Sequence, residues 1–220
     1  MKDPLRYKYQ TLEIHKREIH VRSLRDILDF HNEDSTEVDE DICGSDLPLF
    51  GVLWPSSLVL AKVMATKEIK SLKILEIGCG LALSSIVLSL RGANIKATDN
   101  HPSAETFLDE NIRINQCNPI PFIQADWEDI QKRAVSDKYD LIIGSDVLYL
   151  PEHIKSLSLF INNHSKSRCE VIIVDPNRGN QNIFKKKMKE LDFTHSKDDR
   201  SFNDEFENKF KGHVHYYNRN

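Results

Sequence analysis

Four aspartates stand where short apolar runs end. Asp99 follows Asn94–Thr98, Asp126 follows Pro121–Ala125, Asp146 follows Tyr139–Ser145, and Asp175 follows Glu170–Val174. A fifth run, Leu72–Ile77, ends instead in Gly78-Cys79-Gly80, and Leu81 to Leu88 continues with helical character. If the runs are parallel strands, one rim of the sheet collects the glycine turn and all four carboxylates, beyond the strands' carboxyl ends. Glycines at such a turn let backbone approach a ligand, and the helix behind it presents unpaired N–H groups. Asp99 lies about 20 residues beyond the turn, the spacing at which an acid can accept both ribose hydroxyls. Next along the rim, Trp127 can cover a base and Asp126 can accept from its amino group. A nucleotide-like ligand is therefore expected.

The turn also limits which ligand. A dinucleotide fingerprint wants a small residue at the position held by Leu83, and no Lys-Ser/Thr follows as in a phosphate loop. Glu76, two residues before Gly78, would repel a pyrophosphate and suits an ammonium or sulfonium group. These features favour S-adenosylmethionine and disfavour a nicotinamide cofactor.

Elements that could position these groups can be read along the chain. Tyr7 to Arg25 alternates apolar and polar residues, as in a hairpin turning near Lys16-Arg17. Asn32–Asp41 is strongly acidic and reads as a solvated loop. Pro55 sits where a helix can begin, with Leu58 to Met64 continuing it. Further helices are expected from Asn100-His101-Pro102-Ser103 towards Ile114, from about Pro151 to Ile161, and from about Gln181 to Leu191. Two strand-like pieces end the chain, joined by a polar loop. Strands alternating with helices imply an α/β fold. The expectation is a Rossmann-like, seven-stranded, mostly parallel sheet with helices on both faces and an antiparallel C-terminal hairpin. Residues 1–49 read as an extension of hairpin and acidic loop, and residues 50–220 as the ligand-binding domain.

These residues resemble the class I, seven-β-strand, S-adenosylmethionine-dependent methyltransferases. The match is carried by Glu76-Ile77-Gly78-Cys79-Gly80, Asp99, Asp126-Trp127 and the C-terminal hairpin. More narrowly, Phe50-Gly51-Val52-Leu53-Trp54-Pro55 and Ser145-Asp146-Val147-Leu148-Tyr149 resemble family 16, which includes lysine methyltransferases of chaperones, elongation factors and the electron-transfer flavoprotein β subunit. Many relatives carry a third glycine two residues after Gly80, where this chain has Ala82. The resemblance implies cofactor contacts from Trp54, Glu76, Gly78, Cys79 and Gly80. It implies further ones from Asp99, Asn100, Asp126, Trp127 and Ser145. Catalytic roles fall to Asp146, which would hold an incoming amine; to Tyr149, one helical turn on, which would wall the channel; and to Trp54, whose face would attract a cation. A protein lysine is the implied acceptor. A small-molecule amine or ring nitrogen, and a non-catalytic binding module, are the alternatives.

Composition adds exclusions. Net charge is −4, without the basic excess of a nucleic-acid surface. The four cysteines lack CxxC spacing, which speaks against a zinc ribbon or disulfide scaffold. No stretch is apolar for long enough to span a bilayer. A cytoplasmic protein with a protein partner, no membrane and no nucleic acid is expected. His213 and His215 share one strand face, but without a third ligand they read as surface histidines and no metal is expected. The sequence does not speak to oligomeric state.

Overall fold

A computed structural model describes residues 6–25, 49–129, 136–198 and 210–220. The acidic stretch Asn32–Asp41 lies outside the described residues. Strands β1 (Tyr7–Ile14) and β2 (Arg17–Leu24) pair antiparallel as a separate hairpin. Its two-residue turn is His15-Lys16, one position earlier than expected, and both residues take positive φ, the geometry that matches strand twist.

The main sheet is built from β3 (Lys73–Ile77), β4 (Asn94–Asp99), β5 (Phe122–Gln124), β6 (Tyr139–Ser145), β7 (Ser165–Asp175), β8 (Thr194–Asp198) and β9 (His213–Arg219). Its order is β5-β4-β3-β6-β7-β9-β8. The first five strands in that order are parallel, and β9 is antiparallel to both β7 and β8. This is the expected seven-stranded sheet with its C-terminal hairpin. Strand order reverses between β3 and β6, so the switch point lies at the ends carrying Gly78 and Asp146.

Helices α1 (Pro55–Thr66), α2 (Leu83–Leu90) and α3 (Ser103–Asn115) cover one face, with α4 (Ile154–His164) and α5 (Gln181–Glu190) on the other. Strand residues therefore face apolar neighbours on both sides, which is why β6 and β7 read as unbroken Ile/Val/Leu runs. Ile142, Ile143, Val171, Ile172 and Ile173 are completely buried. Each such side chain contributes about 1.5–3 kcal/mol relative to exposure. Ile14, Ile19, Val21 and Leu24 of the hairpin join the same core as α1, α2 and α3. The Asn111 side chain on α3 accepts from the Arg22 N–H at 2.8 Å.

Several elements differ in extent from the sequence reading. Helix α3 starts at Ser103, because Asp99 draws the His101 N–H to its carboxylate and holds the preceding residues in a turn. Pro151–His153 forms a 3-10 turn before α4, and residues 146–150 are not helical, so Tyr149 does not stand one helical turn beyond Asp146. Strand β7 begins at Ser165, extended by pairing with Tyr139 and β9. His215 is not a surface histidine. It is buried against β8, its Nδ1 sits 3.0 Å from His195 Nε2, and burial lowers its pKa to about 4. Among the described residues no helix is long and apolar enough to cross a membrane.

Candidate active site

A cavity of about 540 Å³ opens at the switch point. That is within the usual range for small-molecule sites. Its floor is the turn after β3. Gly78 and Gly80 have φ of +56° and +52°, a region that side-chain-bearing residues enter at a cost of roughly 1–2 kcal/mol. A Cβ on Gly78 would lie 2.9 Å from Val147 Cγ1 and 3.7 Å from the Trp127 ring. One on Gly80 would meet the Phe50 carbonyl at 3.0 Å. The turn is thus closely covered, and its backbone is exposed to the cavity only because neither residue has a side chain. Ala82, the position of the missing third glycine, also takes φ +57°.

Asp99 is the electrostatic centre of this half. Its Oδ2 accepts the Gly80 N–H at 2.9 Å and its Oδ1 the His101 N–H at 3.0 Å. Burial raises its pKa, and these two hydrogen bonds oppose that shift. A carboxylate offers about four lone-pair sites. The Gly80 and His101 N–H groups take one site on each oxygen, and the carboxylate keeps acceptor capacity for a diol. Asp126 accepts the Glu128 N–H at 2.9 Å, and Trp127 packs edge-on to His153 with ring centroids 6.5 Å apart.

Trp54 roofs the other half. It is the extended residue before α1, and its Nε1 donates to the Leu49 carbonyl at 2.9 Å, which folds residues 49–54 over the cavity. Asp146 follows β6 in a left-handed conformation, φ +56°, with its N–H donating to Val174 at 2.9 Å. Its carboxylate is held bidentately by Arg178, with Nε to Oδ1 and Nη2 to Oδ2 both 2.8 Å. The guanidinium Cζ lies 5.9 Å from the Trp54 ring centroid. Tyr149 is part-exposed at the rim, and burial pushes its hydroxyl pKa up.

Trp54, Gly78, Cys79, Gly80, Asp99 and Asn100 all line this cavity, as do Asp126, Trp127, Ser145, Asp146 and Tyr149. Glu76 does not, which corrects its expected place among the cofactor contacts. Strand alternation turns its side chain under α2, where the carboxylate accepts the Ser85 N–H at 2.9 Å and the Ser85 hydroxyl. Burial raises its pKa to about 7. The rim carries the negative charge that the sequence reading gave to Glu76: Asp99, Asp126, Glu128 and Asp146 stand against Arg178 and His153. An acidic rim disfavours pyrophosphate and accepts a cationic ligand. Arg178, in the loop after β7, also lines the cavity. No local signal marks its pairing with Asp146, because the partners are 32 residues apart. Asp175, the fourth strand-end acid, is completely buried behind the cavity instead of lining it.

Known proteins resemble this chain in sequence and in fold. Residues 34–191, well over half of the chain, match the family described as lysine methyltransferase. The chain belongs to that family. It is 28% identical over 132 residues to protein N-lysine methyltransferase METTL21A of Danio rerio, covering 58% of this chain and 61% of that protein. It is 27% identical over 135 residues to the electron transfer flavoprotein beta subunit lysine methyltransferase of Mus musculus, covering 60% and 51%. A histidine protein methyltransferase 1 homolog of Dictyostelium discoideum is 31% identical over 120 residues, covering 52% and 39%. The chain thus spans between about two fifths and three fifths of the length of these relatives. Among solved structures, the Thermus thermophilus 16S rRNA N2 G1207 methyltransferase superposes with a TM-score of 0.66 at 12% identity, over 99% of this chain and 52% of that one. Magnesium protoporphyrin IX methyltransferase from Synechocystis does so at 0.57 and 20%, over 74% and 76%. At these identities the likeness is one of fold.

Proposed function

We propose that this family member is an S-adenosylmethionine-dependent N-methyltransferase whose acceptor is a lysine side chain of another protein. The observation that carries this reading is the division of one cavity into two chemically different halves. A glycine floor and a carboxylate fixed by backbone N–H groups lie at one end, and an aromatic-acid pair lies at the other. The first half fits the cofactor. Asp99 would take the ribose hydroxyls, the Gly78–Gly80 backbone would pass beneath, and Asp126 with Trp127 would hold the adenine. Cys79, Asn100 and Ser145 would complete that wall. Bound there, S-adenosylmethionine supplies an activated methyl group on sulfonium sulfur.

The chain's own residues must then position the acceptor, since an in-line displacement depends above all on alignment. An ammonium has no lone pair, so the acceptor must first give a proton to water. Asp146 can accept an N–H of the resulting amine and hold its nitrogen, while Trp54 and Tyr149 confine its alkyl stem. The lysine-modifying relatives support a protein acceptor.

The test is incubation of the protein with a cell lysate and radiolabelled S-adenosylmethionine. A labelled protein band whose mass spectrum carries methyl-lysine is expected. Label confined to small molecules would overturn the protein acceptor. Methyl-histidine, the product suggested by the Dictyostelium relative's name, would overturn the lysine. No label in any fraction, with S-adenosylhomocysteine binding intact, would favour a non-catalytic module.

A further inference from the structure

The Asp146–Arg178 pair is fixed by backbone geometry on both sides. Asn177 and Gly179, flanking Arg178, have φ of +67° and +92°, so the chain turns sharply and sends the guanidinium back across the end of β6. The Asn180 side chain donates to the Leu148 carbonyl at 2.8 Å, tying the loop after β7 to the loop after β6. The Asp146 side chain is only 8% exposed. A bidentate guanidinium on so enclosed a carboxylate is a strong, directional contact.

This pairing matters for an amine acceptor. A lone carboxylate beside an amine stabilises the ammonium and raises its pKa, which removes the lone pair that methyl transfer needs. Arginine stays charged at any ordinary pH. Paired with it, Asp146 presents little net charge to the rim. Each carboxylate oxygen has two lone pairs, and Arg178 takes one from each. The other two can still accept an N–H. The pair can therefore orient an uncharged amine without favouring its protonated form.

We propose that Arg178 is a positioning and charge-balancing residue that fixes Asp146 and cancels its charge, so that the acceptor amine binds in its neutral, nucleophilic form. This rests on the N-methyltransferase reading and specifies how its acceptor end works. The other titratable groups that line the cavity or stand behind this pair, among the described residues, are as follows. Tyr149 and His153 come from the segment after β6, and Asp175 from the end of β7. Cys79 comes from the turn after β3, Asp99 from β4, and Asp126 and Glu128 from the segment after β5. All remain in the variants below, so a difference between variants reports the guanidinium.

The test uses the whole chain saturated with S-adenosylhomocysteine, and n-butylamine as the probe for a lysine side chain. At about pH 7 the probe is almost wholly ammonium, since its kind titrates near 10.4. Calorimetry should show Arg178→Gln binding n-butylammonium about tenfold tighter than wild type, equivalent to raising the bound amine's pKa by about one unit. Arg178→Lys, which retains the charge, should bind as wild type does. The double variant Asp146→Asn/Arg178→Gln should lose the gain. Should Arg178→Gln fail to fold, Arg178→Met keeps an apolar stem over Trp54 and gives the same comparison. Unchanged or weaker n-butylammonium binding in the charge-removing variant, with S-adenosylhomocysteine affinity and thermal midpoint retained, would overturn the proposal, because a merely structural role for Arg178 gives that result. Failure of wild type to bind S-adenosylhomocysteine would overturn the cofactor reading instead.

Discussion

The two ends of the cavity are each organised around a carboxylate, but the carboxylates are held in different ways. Asp99 is held by backbone: the N–H groups of Gly80 and His101 fix it, one of them only two residues away. Asp146 is held by a side chain, the guanidinium of Arg178, from the next strand's loop. A backbone-held acid keeps its charge and stays aimed at whatever lies over the glycine turn. A side-chain-held acid can have its charge cancelled and its aim changed by one substitution. That contrast suits a constant cofactor at one end and a variable acceptor at the other.

The contrast breaks most visibly at the acceptor end. Asp146→Asn should reduce label transfer to the substrate band by a factor of about 100–1,000, the usual scale for losing one preorganised electrostatic partner at the reacting centre, because an amide cannot hold Arg178 through two oxygens. S-adenosylhomocysteine affinity should stay within about twofold. Retained activity would remove Asp146 from the acceptor site. Asp99→Ala should act in reverse. It should weaken S-adenosylhomocysteine by roughly 100-fold in calorimetry, the loss of two hydrogen bonds to a charged group at about 1.5 kcal/mol each. Unchanged affinity would place the ribose elsewhere.

Glu76 sharpens the comparison because it belongs to neither end. Its pKa is raised to about 7 in the folded protein, so the native state binds that proton more tightly than the unfolded chain does. The stabilisation is complete below the ordinary carboxylate pKa, near 4.3, and is lost as pH rises through about 7, amounting to some 3 kcal/mol. Glu76→Gln keeps an acceptor for the Ser85 N–H without the titration. In urea unfolding its stability relative to wild type should therefore rise between about pH 4 and pH 7, with S-adenosylhomocysteine affinity almost unchanged. A large loss of that affinity would return Glu76 to the cofactor site. The smallest effect is expected at Ala82. Glycine there relieves a positive φ but adds freedom to the unfolded chain, so Ala82→Gly should change stability by no more than about 1 kcal/mol, in the stabilising direction. A clear destabilisation would show that the alanine methyl packs usefully under α2.

Legibility followed the same division. The strand-turn-helix unit, its two glycines and the acid 19 residues beyond Gly80 could be read because each link is local: an apolar run, a turn that demands positive φ, and a short crossover to the neighbouring parallel strand. Glu76 was misplaced because adjacency to the turn says nothing about facing. Alternation along β3 puts it on the α2 side, opposite Ile77. His215 was misplaced because strand periodicity cannot say whether a strand lies at the sheet edge, and β9 is flanked by β7 on one side and by β8, with His195, on the other.

The sequence by itself therefore determined the sheet, its hairpin tail and the glycine-and-acid floor of the cavity, because short-range backbone geometry leaves those residues few alternatives. Only the tertiary structure decided that Asp146 meets Arg178 under Trp54 and that Asp175 turns away. Those outcomes depend on the register of β6 against β7 and on two sharp turns with positive φ, and so on long-range packing that residue types and spacing do not encode.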